Sequence, residues 1–276
     1  MSIKAAGGAG EAAVGGGGAT ATEETLEFGD QSLLGELATK YARFGHNYYG
    51  NRGGFTIKSG RLIEHGGKLY YIIEKGANTL KELQTELEIT KYVSDPEFES
   101  SPHVSKLVAA KLNPTPVEGR KRPYGGLFVF DSENSQVMDL RKFLNTRSNI
   151  DVSRQKIYDD LHAAIEALHA IGVIHRDIKP ENVIILYKVF TSDGKLIRPP
   201  AQYPYVGLRI IDFGFAVEIG STVKPAGTRM YMPTPYPATA EPSLNKYALE
   251  VIARNNLGPG IYRKARRTRR ARKPRA

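Results

Sequence analysis

A polar run of eight residues, HRDIKPEN at 175–182, carries the side chains of this chain that are best suited to chemistry. Asp177 and Asn182 offer two oxygen-bearing groups five positions apart, and Lys179 adds a positive charge between them. The run lies between two short apolar segments, 173–174 and 183–186, which we predict to be strands. A loop tethered at both ends can direct all three side chains toward one point.

A second carboxylate follows later in the chain. Asp212 ends the apolar segment 208–211, a third predicted strand, and is followed by Phe-Gly. The strand would hold the carboxylate on rigid structure beside a flexible glycine. Carboxylate and amide oxygens are the ligands that Mg²⁺ prefers, and a nearby lysine suits a phosphoryl group in transfer. These residues therefore predict a site for magnesium-dependent phosphate chemistry.

Three motifs in a fixed order carry a resemblance to a known family. HRDIKPEN at 175–182, IIDFG at 210–214 and GTRMYM at 227–232 resemble the catalytic loop, the metal-binding turn and the activation-segment end of eukaryotic-type serine/threonine protein kinases. The resemblance implies an α+β, bilobal fold. It comprises a small antiparallel β lobe with one helix and a truncated, mainly helical large lobe.

The resemblance implies a role for each residue of these motifs. Asp177 is similar to the base that accepts the substrate hydroxyl proton, Lys179 to the contact for the phosphoryl group, and Thr228 to the threonine that bonds both. Asn182 and Asp212 are similar to the magnesium ligands. ATP and Mg²⁺ are the implied cofactors, and serine or threonine hydroxyls of protein substrates are the implied acceptors. The alternative is an inactive kinase fold, in which these side chains only form the hydrogen bonds of a polar loop.

The nucleotide side of the predicted site depends on a strand and the helix after it. The segment KLYYIIEK at 68–75 resembles the strand that ends in the phosphate-binding lysine of the family, so Lys75 is the candidate. Its expected ion-pair partner is Glu86, with Glu82 and Glu88 left as alternatives. Lys75 and Glu86 are eleven positions apart, and this short separation is similar to that of the vaccinia-related and casein-kinase-one-like groups.

A glycine-rich loop before this strand would close over phosphates, because glycine lets successive backbone N–H groups approach them. Gly50, Gly53 and Gly54 are the candidates for this nucleotide-binding loop. Their spacing differs by one residue from the family pattern, and Thr56 stands where the last glycine is expected. An ordinary turn is the alternative.

Apolar spacing and turn residues predict the elements that position these groups. A helix at 79–93 would be capped by Thr79, and a second helix at 153–171 would end before Gly172. Short strands are predicted at 55–57, 61–64, 68–75 and 127–130, and a short helix at 140–144. An insertion at 187–207 has the composition of a surface hairpin, and a hinge between lobes is expected near 131–133.

The chain departs from the family pattern after Thr228. YMPTP at 231–235 lacks the glutamate that the family usually carries, and Asn245 stands where an aspartate usually steadies the catalytic loop. Only a few residues separate a helix expected at 245–253 from a basic tail, so we expect a truncated large lobe. Its apolar surface would be covered by a partner, by a second copy or by the insertion at 187–207.

Phosphorylation is one expectation for the segment between Asp212 and Thr228. Ser221 and Thr222 are candidate acceptors, and Arg176 is the arginine that such a phosphate would pair with. The alternative is a short loop that is ordered without phosphorylation.

Positive charge is concentrated at one end of the chain. The formal net charge is +10, and residues 263–276 hold nine Lys or Arg and no acid, which leaves the remainder close to neutral. Such a run repels itself and attracts polyanions. We therefore predict a disordered basic tail at 257–276 whose partner is nucleic acid or an acidic protein, with a nuclear-import signal as the alternative.

The rest of the composition bounds the class of protein. A 41% hydrophobic content in 276 residues excludes a fully disordered or fibrous chain. Residues 1–26, rich in glycine and alanine, are predicted to be a disordered leader before a folded domain at 27–256, with its small lobe at 27–130 and its large lobe at 134–256. No apolar run is long enough for a membrane, and cysteine is absent. An intracellular protein of the cytoplasm, nucleus or a virus particle is expected.

Two further functions remain open at this point. One is a pseudokinase or scaffold that keeps the fold for binding. The other is a nucleic-acid-associated structural protein that acts through the tail at 263–276.

Overall fold

The computed structural model describes residues 27–35, 62–98, 101–119, 121–146, 148–191, 195–197, 201–258 and 260–261. The predicted leader, the strand at 55–57, the candidates Gly50, Gly53 and Gly54, and the basic run at 263–276 lie outside these residues. The described residues form two lobes, each with its own main apolar core, and side chains such as Ile89 and Ile184 pack in the core of the other lobe.

The small lobe is a five-stranded antiparallel sheet with a helix against it. Its strands lie in the order β1 (Glu27–Gly29), β4 (Leu107–Asn113), β5 (Tyr124–Asp131), β3 (Lys68–Ala77) and β2 (Leu62–His65). Strand β5 is paired with β3 over the whole length of β5, and Lys75 lies opposite Gly126. The lysine is therefore on a central strand whose position is set by neighbours on both sides.

Helix α1 (Leu80–Val93) packs on this sheet. The Thr79 hydroxyl accepts a hydrogen bond from the backbone of the first turn at 3.2 Å, as its predicted capping role requires. Leu83 and Leu87 belong to the apolar core that the helix shares with Tyr71, Ile73 and Phe128. Glu86 lies between the two leucines on the same buried face, so the helix directs its carboxylate toward the sheet.

The large lobe combines helices with a second sheet. Its helices are α2 (Leu140–Asn145), α3 (Arg154–Ala170) and α4 (Pro242–Ile252). Four strands lie in the order β6 (Gln136–Asp139), β9 (Val183–Tyr187), β10 (Tyr203–Ile210) and β7 (Ile150–Asp151). A two-stranded pair, β8 (Val173–Ile174) with β11 (Val217–Glu218), lies beside the polar run at 175–182. The four-stranded sheet was not anticipated as a unit.

Helix α3 confirms the strongest prediction of the periodicity. Ser153 caps it by accepting the N–H of Lys156 at 3.0 Å, and Gly172 follows its end with a φ of 81°. Its apolar face is fully buried in the large-lobe core, at Ile157, Leu161, Ile165 and Leu168. None of the helices in the described ranges is long and apolar enough to cross a membrane.

The insertion at 187–207 differs in part from a surface hairpin. Its second half extends strand β10, and Tyr187, Tyr203 and Tyr205 pack against the large-lobe core. The Tyr205 hydroxyl also donates to Asp160 on α3 at 2.8 Å. The insertion therefore covers part of the helix surface that the sequence suggested would be left bare.

The end of the folded region also lies later than predicted. Leu257 closes a π turn, Ala253–Leu257, and is 2% exposed, and Ile261 packs against the large-lobe core. Packed residues thus continue past the expected boundary at 256. Apolar side chains at these two positions, ahead of the basic run, explain the difference.

The lobes are connected by a short turn after β5, as the predicted hinge requires. Ser132 donates its hydroxyl to the carbonyl oxygen of Leu69 at 2.7 Å. From the large lobe, Lys188 Nζ donates to the carbonyl oxygens of Glu133 at 2.8 Å and Asn134 at 2.9 Å. The turn is therefore held from both lobes.

Candidate active site

The polar run at 175–182 forms the loop between β8 and β9, and its side chains converge on Asp177. This carboxylate is 3% exposed. Its Oδ2 accepts hydrogen bonds from Lys179 Nζ at 2.6 Å and Asn182 Nδ2 at 3.2 Å, and its Oδ1 accepts the N–H of Thr228 at 2.8 Å. Four of the residues that the sequence singled out therefore lie at one point.

Thr228 reaches this point from the segment after Asp212. Lys179 Nζ donates to Thr228 Oγ1 at 3.0 Å, so the lysine joins the hydroxyl to the Asp177 carboxylate. The approach depends on Gly227, which has a φ of 105° and where a Cβ would lie 2.5 Å from the carbonyl oxygen of Arg176. Only glycine fits a contact this close.

Neutral hydrogen bonds hold the backbone of the loop from behind. Buried His175 bonds the carbonyl oxygen of Ile211 through Nε2 at 2.9 Å and accepts the N–H of Asp177 at Nδ1, 3.2 Å away. Burial lowers the pKa of His175, which keeps the ring neutral with its proton on Nε2. The next backbone N–H, that of Arg176, donates to Asn245 Oδ1 at 3.0 Å.

Asn245 is itself oriented by a histidine that the sequence analysis did not identify. Its Nδ2 lies 3.1 Å from His169 Nε2 and donates to it, so that ring nitrogen carries no proton. Burial lowers the pKa of His169 to about 4, and the ring is neutral at pH 7. The only sequence signal for His169 was its position at the buried end of α3. Asn245 on α4 thus connects the loop to α3 through hydrogen bonds between uncharged groups.

Lys75 joins its own strand β3 to α1 and to the turn after β10. Its Nζ forms ion pairs with Glu86 Oε1 on α1 and with Asp212 Oδ1, 3.0 Å away, on the turn after β10. All three side chains are less than 10% exposed. Of the three glutamates that the sequence offered, Glu86 is the partner, whereas Glu82 and Glu88 lie on the exposed face of α1.

Two carboxylates share the single ammonium of Lys75, so the buried cluster has an excess of negative charge when both are ionised. Burial raises the pKa of Glu86; the Asp212 carboxylate adds to this rise, and Lys75 opposes it. Asp212 also has a φ of 71°, a left-handed backbone that residues other than glycine rarely adopt. Asp212 therefore has a strained backbone and belongs to the cluster with excess negative charge. This combination is typical of a site that binds a cation.

Asn182 provides the test of whether magnesium fits. Its Oδ1 is buried and has no hydrogen-bond partner in the described part of the chain, while its Nδ2 donates to Asp177. A buried unpaired oxygen costs free energy, and a cation would bind it. The N–H of Ile211 donates to the carbonyl oxygen of Asn182 at 3.1 Å, which sets Asp212 on the adjoining segment. These residues fit Mg²⁺.

Few side chains in the described part of the protein are placed to coordinate a metal ion. Within the described ranges no group of three His, Cys, Asp or Glu side chains gathers to hold a metal ion. Mg²⁺ usually takes one or two protein carboxylates and completes its octahedron with phosphate oxygens and water. The site therefore suits a magnesium ion that arrives with a phosphorylated ligand.

A family model described as the protein kinase domain matches residues 75–236, more than half of the chain. The chain belongs to the protein kinase family. The kinase-domain match begins at Lys75 and includes the loop at 175–182, Asp212 and Thr228. It confirms the family that the three motifs predicted, together with the bilobal fold of an antiparallel β lobe and a lobe that carries α2, α3 and α4.

Individual relatives match a shorter part of the kinase domain. Mouse cGMP-dependent protein kinase 2 is 37% identical over 83 residues, 30% of this chain and 8% of that protein. Serine/threonine-protein kinase PkaB of Streptomyces coelicolor is 30% identical over 111 residues, 38% of this chain and 24% of that protein. The chain thus spans a small part of the length of these curated relatives.

A solved structure also matches this chain. The crystal structure of a kinase domain covers 72% of this chain, and 60% of its own length is matched. The TM-score is 0.47 and the sequence identity is 18%.

The remaining sequence predictions concern the glycine loop, Arg176, the likeness to other kinase groups and the basic tail. The glycine candidates Gly50, Gly53 and Gly54 lie outside the described residues. Arg176, expected to meet a phosphate, already binds three groups of the segment after Asp212. The likeness to the vaccinia-related group stays a prediction, as does the partner of the basic tail.

Proposed function

We propose that this protein transfers the γ-phosphoryl group of ATP, bound with Mg²⁺, to serine or threonine hydroxyls of protein substrates. The observation that carries this proposal is the bridge made by Lys179, whose Nζ lies 2.6 Å from Asp177 Oδ2 and 3.0 Å from Thr228 Oγ1. It supports a base, a cation for the phosphoryl oxygens and a threonine in one fixed arrangement. Family membership supports the reaction class.

Asp177 is the proposed base. The acceptor hydroxyl oxygen forms a bond to the γ-phosphorus while the bond from that phosphorus to the β–γ bridging oxygen breaks and ADP leaves. The hydroxyl proton passes to the Asp177 carboxylate. Hydrogen bonds to both carboxylate oxygens orient this group, and the Lys179 ammonium lies where negative charge on the phosphoryl oxygens develops.

Asn182 and Asp212 would hold Mg²⁺, through the amide Oδ1 and the carboxylate respectively. When bound, Mg²⁺ neutralises phosphate charge and aligns the phosphoryl group with the acceptor. Lys75, held between Glu86 and Asp212, would bind phosphate oxygens of the nucleotide. A lysine already anchored by Glu86 loses little side-chain freedom when it does so.

The test is transfer of labelled γ-phosphate from Mg·ATP to the protein itself and to a generic basic protein, followed by phosphoamino-acid analysis. Label on serine or threonine with the wild type, lost in both Asp177→Asn and Asp212→Asn, is the expected result. Asp151→Asn on the exposed end of β7 is the matched control and should retain transfer.

Other outcomes would overturn the proposal in distinguishable ways. Tight ATP binding without transfer, in wild type as in variants, would favour a nucleotide-binding scaffold. Transfer that survives Asp177→Asn would contradict the role given to that carboxylate. A nucleic-acid contact of residues 263–276 could coexist with catalysis, and a steep salt dependence of DNA binding that disappears on their deletion would support it.

A further inference from the structure

Arg176 precedes the proposed base, and its guanidinium is bound to the segment at 213–236. Its Nε donates to Tyr236 Oη at 3.1 Å, its Nη1 to the carbonyl oxygen of Phe215 at 3.3 Å, and its Nη2 to that of Lys224. These acceptors lie at the beginning, the middle and the end of the segment. One cation therefore ties the whole segment to the catalytic loop.

The backbone of the same segment is hydrogen-bonded on two sides. On one side β11 pairs with β8, directly before the catalytic loop. On the other, Val223 donates its N–H to the carbonyl oxygen of Ala238 at 2.9 Å, and Ala240 donates to that of Ser221 at 2.8 Å. These bonds give the middle of the segment a defined path without any added group.

The ring of Tyr236 is held independently of its hydroxyl. It packs, together with Val217 and Val223, on a small apolar cluster formed by Ile174, Ala240 and Leu244. The apolar contacts therefore present the hydroxyl to Arg176. A neutral oxygen fixed in this way can accept the charge-assisted hydrogen bond that a phosphate oxygen would otherwise accept.

We infer that Tyr236 is a positioning residue, which orders the segment at 213–236 through Arg176 without phosphorylation of Ser221 or Thr222. The inference rests on the proposed function, because the ordered segment is what carries Thr228 to Asp177. A phosphate on either candidate residue would compete for an arginine that already has three acceptors. The short loop ordered by its own contacts is thus the alternative that the structure favours.

The direct test removes only the hydroxyl. In Tyr236→Phe the ring packing is kept, and we expect amide hydrogen exchange at 215–228 to become faster by on the order of tenfold. The matched control is Tyr247→Phe, since the Tyr247 ring likewise packs on apolar residues, those of the large-lobe core, and its hydroxyl has no hydrogen bond within the described ranges. Exchange in Tyr236→Phe equal to the control would overturn the inference.

A double-mutant cycle tests whether the effect passes through Arg176. Arg176→Gln should also speed exchange at 215–228, and adding Tyr236→Phe to it should cause no further increase. Additive effects of the two substitutions would contradict the proposed link.

Phosphorylation is tested separately. Phosphatase treatment and the double substitution Ser221→Ala, Thr222→Ala should each leave the rate of phosphoryl transfer within about twofold of wild type, whereas Tyr236→Phe should lower kcat several-fold with little change in the KM for ATP. Activity that is lost on dephosphorylation would overturn the inference.

Hydrogen exchange requires no turnover, so the two proposals fail separately. If the wild type transfers no phosphate under any condition, the proposed function fails, yet the exchange data still report on Tyr236. If transfer is normal and exchange at 215–228 in the wild type is unprotected, the inference about the segment fails alone.

Discussion

The two halves of the candidate site, around Asp177 and around Lys75, are held together by different kinds of interaction. Around Asp177 the partners are mostly close in sequence, at positions 179 and 182, and the loop is held from behind by the neutral hydrogen bonds that its backbone donates to His175 and Asn245. Around Lys75 the ion-pair partners come from α1 and from Asp212, 137 positions away, and both are carboxylates. One half is a local loop cluster, and the other is a buried ion cluster between lobes.

Charge balance separates the two clusters further. Lys179 and Asp177 carry opposite charges, and the remaining partners of the carboxylate are an amide and a backbone N–H. The Lys75 cluster holds two carboxylates for one ammonium. Buried charges that are not balanced cost much free energy, so the second cluster depends on each member far more than the first. It is also the cluster that a cation would relieve.

Lys75→Met should have the largest effect on both stability and activity. It leaves Glu86 and Asp212 buried without their cation, which should cost about 3 kcal/mol of unfolding free energy and lower kcat/KM on the order of 100-fold, mainly through the KM for ATP. Denaturant unfolding and steady-state kinetics measure the two effects.

The matched control for this variant is Lys91→Met in the last turn of α1, where the lysine side chain is 35% exposed. Lys91 pairs with Glu88 at the surface and should contribute no more than about 1 kcal/mol. Equal unfolding free energies for the two variants would show that the buried cluster does not join the lobes as strongly as its geometry implies.

Lys179→Met should affect activity and leave stability nearly unchanged. The lysine side chain is 17% exposed, and Asp177 keeps its bonds from Asn182 and Thr228 when the lysine is lost. We expect kcat to fall by about 10- to 100-fold, with the KM for ATP little altered and the unfolding free energy within about 1 kcal/mol of wild type. A large loss of stability would remove the distinction between the two clusters.

His169 gives an effect that is confined to low pH and tests whether the loop is supported by neutral groups. Its folded pKa, lowered to about 4, lies below the ordinary value of 6.5 for the unfolded chain. The unfolded state therefore binds the proton more readily, so the stabilisation is complete above about pH 6.5 and is lost as the pH falls toward 4. The loss should reach at most about 3 kcal/mol.

The measurement for this prediction is the unfolding free energy between pH 7.5 and 4, with an NMR titration of the ring. His169→Gln keeps an acceptor for Asn245 and should flatten the pH dependence. An NMR pKa near 6.5 in the folded protein would contradict the neutral support of the loop.

Some of the fold could not be predicted because its cause is not local. Strand β4 has the sequence LVAAKLN, whose alanines and lysine give no clear strand pattern; it forms because β1 and β5 pair with it on both sides. The early start of β10 has the same origin, since Tyr203 pairs with Ile150 of β7 and packs on the core. Tertiary contacts overrode weak local preferences in both cases.

The sequence by itself determined the loop that carries Asp177, Lys179 and Asn182, because the spacing within eight residues and the flanking apolar pairs restrict where those side chains can lie. Helical periodicity likewise determined that Glu86 lies on the buried face of α1. Only the tertiary structure decided that Lys75 reaches Asp212 and that Tyr236 binds Arg176. Those contacts join segments far apart in the chain, and their formation depends on how the lobes and the segment at 213–236 pack in space.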